Sequence, residues 1–145
     1  MRVEVQLVVC RLAGGDYGVP IEQVKEINRY VEVTRIPKAP ASVLGVINLR
    51  GQVIPVVSLR ERFGFPPEQI DAATRIIVSD VRGGFVVDGV TEVLRLDSGT
   101  IVPPPETTKG MDSVFIKGIA KLGERLIIVL DLEKIIDFSL LATAV

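Results

Sequence analysis

The sequence predicts a mainly β protein built from two tandem five-stranded β-barrels of the SH3 or OB type, packed together, with few short helices. Short segments rich in Val, Ile and Leu recur along the whole chain, separated by turns that contain glycine or proline. One of these segments occurs twice, which indicates an internal repeat. A unit of about five strands leaves two open sheet edges, and closure into a barrel is the usual way to hide them.

The repeat is clearest between Gly45 to Phe63 and Gly118 to Ile136. These segments align without a gap, and five of the nineteen positions are identical. Shorter matches occur in the same order, such as Val24 to Ile27 with Val90 to Val93. We therefore expect one domain over 1–145 with repeated units at about 3–63 and 74–138, joined by 64–73, and strand exchange between the barrels is compatible with this division. Such small units bury little core alone, so a third apolar cluster is expected at their junction.

The first unit is expected to contain mostly strands. Its elements are, in order, strands over 3–12 and 17–19, a short helix over 21–27, a strand over 30–36, a helical turn at 41–44, and a hairpin with strands 45–49 and 52–58. The helix is predicted because Pro20 suits its first position and Ile21, Val24 and Ile27 recur at helical spacing.

The hairpin places a cationic side chain at a rigid tip. Arg50 and Gly51 interrupt two apolar strands and suit a tight turn, in which Gly51 supplies a positive φ angle. Gly45 is expected where two elements approach closely. Both glycines are interpreted as structural.

The second unit is expected to follow the same plan. Its elements are strands over 74–81 and 84–88, an apolar turn through Val90 and Val93, a strand to about 96, a proline-rich loop over 101–106, a hairpin with strands 114–122 and 125–130, and a helical turn at 132–138. Asp131 is predicted to cap that last turn.

Composition argues against several function classes. The 145 residues include no histidine, which removes the usual general base and most catalytic zinc sites. A net charge of −1 and 5% aromatic residues disfavour a nucleic-acid surface, although a nucleic-acid-binding pair of small barrels stays the alternative function. A small enzyme using Asp88 and Glu92 is a further alternative. Cys10 is interpreted as a buried side chain, and neither metal nor cofactor is expected.

No apolar run is long enough to span a bilayer, and the first residues alternate instead of forming a signal-peptide core. We therefore expect a cytoplasmic protein without direct membrane insertion.

The segment IPKAPASVLGVINLRGQVIPVVSLRERFG, from Ile36 to Gly64, closely resembles the hallmark segment of the CheW family of chemotaxis coupling proteins. Further likeness lies in the VKEI segment at 24–27, in FVVDGVTEVL at 85–94 and in GIAKLGERLIIVLDLEKII at 118–136. The family commonly has Val at position 36, Asp at Ser58 and Ile-Asp at Val19 and Pro20. These departures lie mostly at element ends and affect local capping more than the fold.

The resemblance implies a non-enzymatic adaptor with two five-stranded barrels. Proteins of this family connect the cytoplasmic helical tips of chemoreceptors to the histidine kinase CheA, whose regulatory domain has the same fold. Positions associated with partner contacts fall on Val24, Glu26 and Arg50, and less directly on Val90 and Val93. We expect these five residues to line a receptor groove between the barrels. For Arg50, a purely intramolecular salt bridge is an equally good interpretation.

Overall fold

The computed structural model describes residues 3–67, 69–79, 83–104 and 114–141, and these form eleven strands. In chain order the strands are β1 (Glu4–Leu12), β2 (Gly15–Pro20), β3 (Val24–Arg29), β4 (Val43–Leu49), β5 (Gln52–Ser58), β6 (Arg75–Ser79), β7 (Gly83–Val87), β8 (Gly89–Asp97), β9 (Ile101–Val102), β10 (Ile116–Leu122) and β11 (Arg125–Leu130). The α-helices are α1 (Leu59–Arg62) and α2 (Leu132–Leu141), and the 3₁₀ turns are Ile21–Gln23 and Ser98–Thr100.

The strands form two sheets, and each sheet contains strands from both halves of the chain. The six-stranded sheet has the order β8-β1-β2-β11-β10-β9, and the five-stranded sheet has the order β3-β6-β7-β5-β4. Consecutive hairpin strands pair antiparallel, whereas β11 with β2 and β5 with β7 pair parallel. The first hairpin of each half therefore joins strands that belong to the other half.

Each sheet curls around an apolar cluster of its own. Strands β4 to β7 all contribute to the cluster of the five-stranded sheet, which contains Ile47, Ile54, Val56, Ile76, Val78 and Val86. The six-stranded sheet encloses Leu7, Val9, Leu96, Ala120, Ile127 and Val129. In the six-stranded sheet, Leu96 of the edge strand β8 and Ile101 of the other edge strand, β9, reach the same cluster, so this sheet is not flat.

A third cluster, here called the junction cluster, fills the space between the two sheets. It combines Cys10, Leu12, Val19 and Leu130 of the six-stranded sheet with Val57, Ile77, Phe85 and Val87 of the five-stranded sheet, and with Phe115, Leu59, Leu132, Ile135 and Ile136. Successive residues of a strand point to opposite faces, so the same strand contributes side chains both to the cluster of its own barrel and to the junction cluster. The mainly β fold with two packed units and few short helices is confirmed.

Several sequence-based predictions of local structure are wrong. Instead of a helix over 21–27, a 3₁₀ turn ends at Gln23 and β3 follows immediately, because residues from Val24 onward pair with β6. No strand covers 30–36, where Thr34 forms only an isolated bridge with Val46. Val90 and Val93 lie in β8 and not in a turn.

Smaller corrections concern element ends. Residues 41–42 form a turn and Val43 already begins β4, while Val114 and Phe115 precede β10 in a short helical turn. Gly83 and Gly84 begin β7. The ends of the predicted strand 74–81 and of the predicted loop 101–106 lie outside the described residues. The hairpin of β4 and β5, and the pairing of β10 with β11, are confirmed.

Candidate docking site

The hairpin between β4 and β5 holds Arg50 in an unusual backbone conformation. Its φ angle is +49° and that of Gly51 is +86°, as the two central residues of a tight type I′ turn require. The turn is further held by the Asn48 side chain, whose Oδ1 accepts a hydrogen bond from the Gly51 N–H at 3.0 Å. Asn and Gly are favoured at such positions, whereas an arginine costs about 1 kcal/mol there. The turn would therefore form more easily with another residue than Arg50.

Gly45, earlier in β4, lies against the segment around Thr34. Its φ angle is +151°, and a Cβ atom at this position would lie 2.0 Å from the Thr34 carbonyl oxygen. The two backbones are hydrogen-bonded here, since the Thr34 and Val46 N–H groups each donate to the other's carbonyl at 2.9 Å. Only glycine fits this approach without displacing the backbone.

Arg50 forms an ion pair with Glu26. Glu26 lies on β3 and Arg50 follows β4, and these are the two edge strands of the five-stranded sheet. The pair therefore brings the sheet's opposite edges together. Glu26 also accepts a hydrogen bond from Asn28 Nδ2 at 2.8 Å, and this bond together with Arg50 holds the pKa of the Glu26 carboxyl below its usual value.

The Arg50 side chain is 68% exposed despite this ion pair. A guanidinium carries five N–H donors in one plane, and one carboxylate does not use all of them. The geometry thus allows Arg50 to form the intramolecular salt bridge and to contact a partner.

The apolar candidates are divided between the sheets. Val24 on β3 and Val90 on β8 are half-buried, and both pack against the junction cluster. Val93 lies opposite Val8 and is 51% exposed. Val24, Glu26 and Arg50 are connected through β3 and its ion pair, while Val90 and Val93 belong to the other sheet.

A second charged cluster was not predicted from the sequence. Arg125 on β11 contacts Glu92 of the edge strand β8 at 2.9 Å and Asp16 of β2 at 3.1 Å. Glu92 is the position that the internal alignment matches to Glu26. The internal repeat could therefore have identified Glu92 as an ion-pairing acid. It could not have identified Arg125 as the partner, because Arg125 aligns with Gln52 and not with Arg50.

The two acids of the enzyme alternative are both engaged in ion pairs. Arg60 contacts Asp88 through two hydrogen bonds of 2.8 and 2.6 Å, and the Ala13 N–H donates to the same carboxylate at 2.9 Å. The bonds from Arg60 are the main cause that lowers the Asp88 pKa, so this group stays ionised near neutral pH. Glu92 is bound to Arg125.

Cys10 lies in the junction cluster with no exposed surface, and burial raises the pKa of its thiol to about 12. A thiol of this kind is protonated at neutral pH and does not act as a nucleophile.

Within the described ranges, no group of His, Cys, Asp and Glu side chains could hold a metal ion. No helix in the same ranges is both long and apolar enough to cross a membrane.

The sequence matches one protein family over most of its length, and named relatives belong to the same family. The CheW-like domain family matches residues 6–139. The chemotaxis protein CheW of Klebsiella aerogenes is 36% identical over 135 residues, which cover 91% of this chain and 81% of that protein. The corresponding protein of Helicobacter pylori is 39% identical over 124 residues, covering 83% of this chain and 74% of that protein.

A solved structure agrees with these relatives. The crystal structure of the scaffolding protein TtCheW from Thermoanaerobacter tengcongensis matches with a TM-score of 0.81 and 38% identity, and the match covers 90% of this chain and 86% of that chain.

Two packed β-barrels, with Arg50 exposed at a rigid hairpin tip, define the fold class that this chain shares with the scaffolding protein TtCheW. The chain belongs to the CheW-like domain family and acts as a coupling adaptor in chemotaxis signal transduction. It is not an enzyme, since proteins of this family are scaffolds. The alternative of a nucleic-acid-binding protein is not supported by the family or by these relatives.

Proposed function

We propose that this protein couples the cytoplasmic helical tip of a chemoreceptor to the regulatory domain of the histidine kinase CheA. In this proposal Val24, Glu26, Arg50, Val90 and Val93 form the receptor-binding surface. The protein is cytoplasmic and is recruited to membrane receptor arrays through these contacts.

The observation that carries the proposal is the placement of Arg50. An arginine occupies a left-handed turn position that Asn or Gly would fill at lower cost, and its side chain remains 68% exposed. A contribution to folding alone does not account for this choice, because exposed ion pairs contribute only about 0–1 kcal/mol. Contact with a partner gives the side chain a use that another turn residue could not replace.

Exposed apolar side chains lie on the same two elements as this ion pair. Ile27 follows Glu26 on β3 and is 39% exposed, and Val53 follows the turn on β5 and is 70% exposed. An amphipathic receptor helix could bury such side chains while Glu26 and Arg50 set its orientation. Apolar contacts edged by charge are typical of protein docking surfaces.

The contact with the kinase is proposed to use a barrel end. The kinase regulatory domain has the same doubled-barrel fold, so ends of the two proteins can meet in a pseudosymmetric arrangement. Contacts of this heterologous kind can close into rings.

Co-sedimentation with receptor-containing membranes, with and without the kinase, tests the proposal. The wild-type protein should sediment with receptors alone, and kinase sedimentation should increase when the adaptor is added. Arg50→Ala should reduce the bound fraction, whereas Lys121→Ala should not, because Lys121 is an exposed cation on β10, a strand that carries none of the five proposed residues. Wild-type protein that binds neither companion at micromolar concentration would refute the proposal.

A further inference from the structure

Two neighbouring cavities share Arg75, and the first of them lies where the two sheets meet. The first has a volume of about 380 Å³ and is bounded by Arg11, Asp88, Gly89 and Val90 in addition to Arg75. The second, of about 320 Å³, is bounded by Arg29, Tyr30, Ile70 and Asp71 beside Arg75. We call these two cavities together the arginine cleft. Since Val90 lines it, the cleft adjoins the proposed receptor surface.

The arginine cleft contains positive charge that the protein does not neutralise. Arg29 and Arg75 are directly opposite each other across β3 and β6. Like charges in this position destabilise a strand pair. Among the described residues, no carboxylate forms an ion pair with Arg11, Arg29 or Arg75.

The two acids in the cleft walls are occupied elsewhere. Asp71 accepts a hydrogen bond from the Ala73 N–H at 2.8 Å and so stabilises the turn before β6. Asp88 is bound through both oxygens by Arg60. Arg11 is close enough to Asp88 to interact with it electrostatically. Within the described part of the chain, however, neither carboxylate forms a hydrogen bond or ion pair with the other two arginines of the cleft, so the positive charge of these two remains available to a ligand.

Arg75 is also held in place before any ligand binds. Its Nη1 donates to the carbonyl oxygens of Ala72 at 2.8 Å and of Thr74 at 2.9 Å. A guanidinium that is already ordered loses less conformational entropy when it binds an anion. The flat donor array of arginine matches a carboxylate, with which it forms paired hydrogen bonds.

We propose that the arginine cleft binds acidic side chains of the helical segment that docks on this protein. This inference rests on the proposed function and adds the chemistry by which the partner is selected. Two cavities that share one arginine suit two carboxylates on one helix face, at positions i and i+4 or i and i+3. The apolar surface at Val90 would then bury the rest of that face, and the acids would set the helix register.

The test measures binding of a receptor cytoplasmic fragment to the full chain carrying Arg11→Gln and Arg29→Gln together. Both arginines are exposed, so the double variant should fold, and Arg75 is retained because it orders its own loop. We expect affinity to fall about 5- to 10-fold at low salt, which corresponds to two exposed charge pairs. The dependence of affinity on salt should also weaken. Lys121→Gln is the control, since Lys121 is an exposed cation on β10 that lines neither cavity, and it should change neither quantity.

Two results with receptor fragments test this inference separately from the proposed function. Unchanged affinity and salt dependence in the double variant, with weak binding by Arg50→Ala, would overturn the cleft and leave the receptor site intact. Charge reversal offers a positive result: Arg29→Glu should lose binding, and a receptor fragment with one acidic residue changed to Lys should restore it.

If wild-type protein does not bind receptors, the proposed function fails, and the cleft is tested with a helical peptide that carries Glu at i and i+4. Chemical-shift changes at Arg11 and Gly89 would support the cleft, and their absence would overturn it. If a single-stranded oligonucleotide displaced that peptide at a concentration below the peptide's own, the cleft would prefer phosphates to carboxylates, and the proposed ligand chemistry would be wrong.

Discussion

Arg50 and Glu26 form an ion pair that joins the two edge strands of the five-stranded sheet. In the six-stranded sheet, Arg125 on β11 reaches Glu92 on the edge strand β8 in a comparable way. Both barrels therefore use a surface salt bridge between a hairpin of the chain and a sheet edge. The difference is that Arg125 contacts two acids, whereas Arg50 contacts one acid and is more exposed, at 68% against 37%.

Replacement of Arg50 should separate folding from binding. We expect Arg50→Asn to change the free energy of unfolding by less than about 1 kcal/mol, because the loss of an exposed ion pair is offset by a residue that suits the left-handed turn. Arg50→Ala should stay within about 1 kcal/mol as well. Both variants should bind receptor fragments more weakly. Chemical denaturation and a binding titration measure the two effects, and an Arg50→Asn variant that binds normally would make this residue structural only.

Gly45 in β4 and Gly51 in the hairpin turn should respond differently to replacement by alanine. Gly45→Ala would place a Cβ 2.0 Å from the Thr34 carbonyl oxygen, so β4 must move, and we expect a loss of at least about 3 kcal/mol in unfolding free energy. In Gly51→Ala the new Cβ has no atom within 4 Å, so the free energy of unfolding should fall only by the cost of a positive φ angle, about 1 kcal/mol. Denaturant unfolding of both variants checks the difference. Equal losses would mean that the approach of Thr34 to β4 is not rigid.

Valine to aspartate substitutions at Val24 and Val93 distinguish burial from surface contact. Val24 packs against the junction cluster, so Val24→Asp should destabilise the protein by about 2 kcal/mol and confuse any binding measurement. Val93 is 51% exposed, so the free energy of unfolding of Val93→Asp should lie within about 1 kcal/mol of the wild-type value. Weaker receptor binding by Val93→Asp would support its place in the docking surface. Normal binding by this variant would remove Val93 from that surface.

The sequence alone predicts the strands whose ends are marked by turn-forming residues. Arg50 and Gly51 interrupt two apolar segments; β5 has the predicted bounds, and β4 begins two residues before the predicted strand and ends where predicted. The predicted helix over 21–27 is wrong, because the spacing of Ile21, Val24 and Ile27 coincides with a helical period in a segment that is not helical. Backbone pairing with β6 decides the structure of this segment, and β3 accommodates one extra residue as a bulge between Val24 and Glu26.

Long-range polar contacts were beyond prediction from residue patterns. The pairs Arg60 with Asp88 and Arg125 with Asp16 are separated by 28 and 109 residues, and nothing in either local sequence identifies the partner. The grouping of Glu26 with Arg50 followed from the family resemblance. The first cavity of the arginine cleft forms where the link between β7 and β8 brings residues of both sheets together.

The ion pair of Arg60 with Asp88 predicts a specific pH dependence of stability. Both side chains are largely buried, at 18% and 26% exposed, and Asp88 has a folded-state pKa below its ordinary value of 3.8. A carboxyl with a lowered pKa contributes stability above its unfolded-state pKa, and this contribution disappears as the pH falls through the folded-state pKa. Asp88→Asn should therefore cost about 2 kcal/mol at pH 7. The gap between variant and wild type should narrow as the pH falls below about 4.

Urea unfolding at pH 7, 5, 4 and 3 measures that gap, and Glu61→Gln serves as the control because Glu61 is exposed on α1. The control should follow the wild type at every pH, since both proteins retain the pair of Arg60 with Asp88. A gap between Asp88→Asn and wild type that stays constant down to the lowest pH would mean that the charge on Asp88 does not stabilise the fold. The link between β7 and β8 would then be held by packing of the neighbouring strands alone.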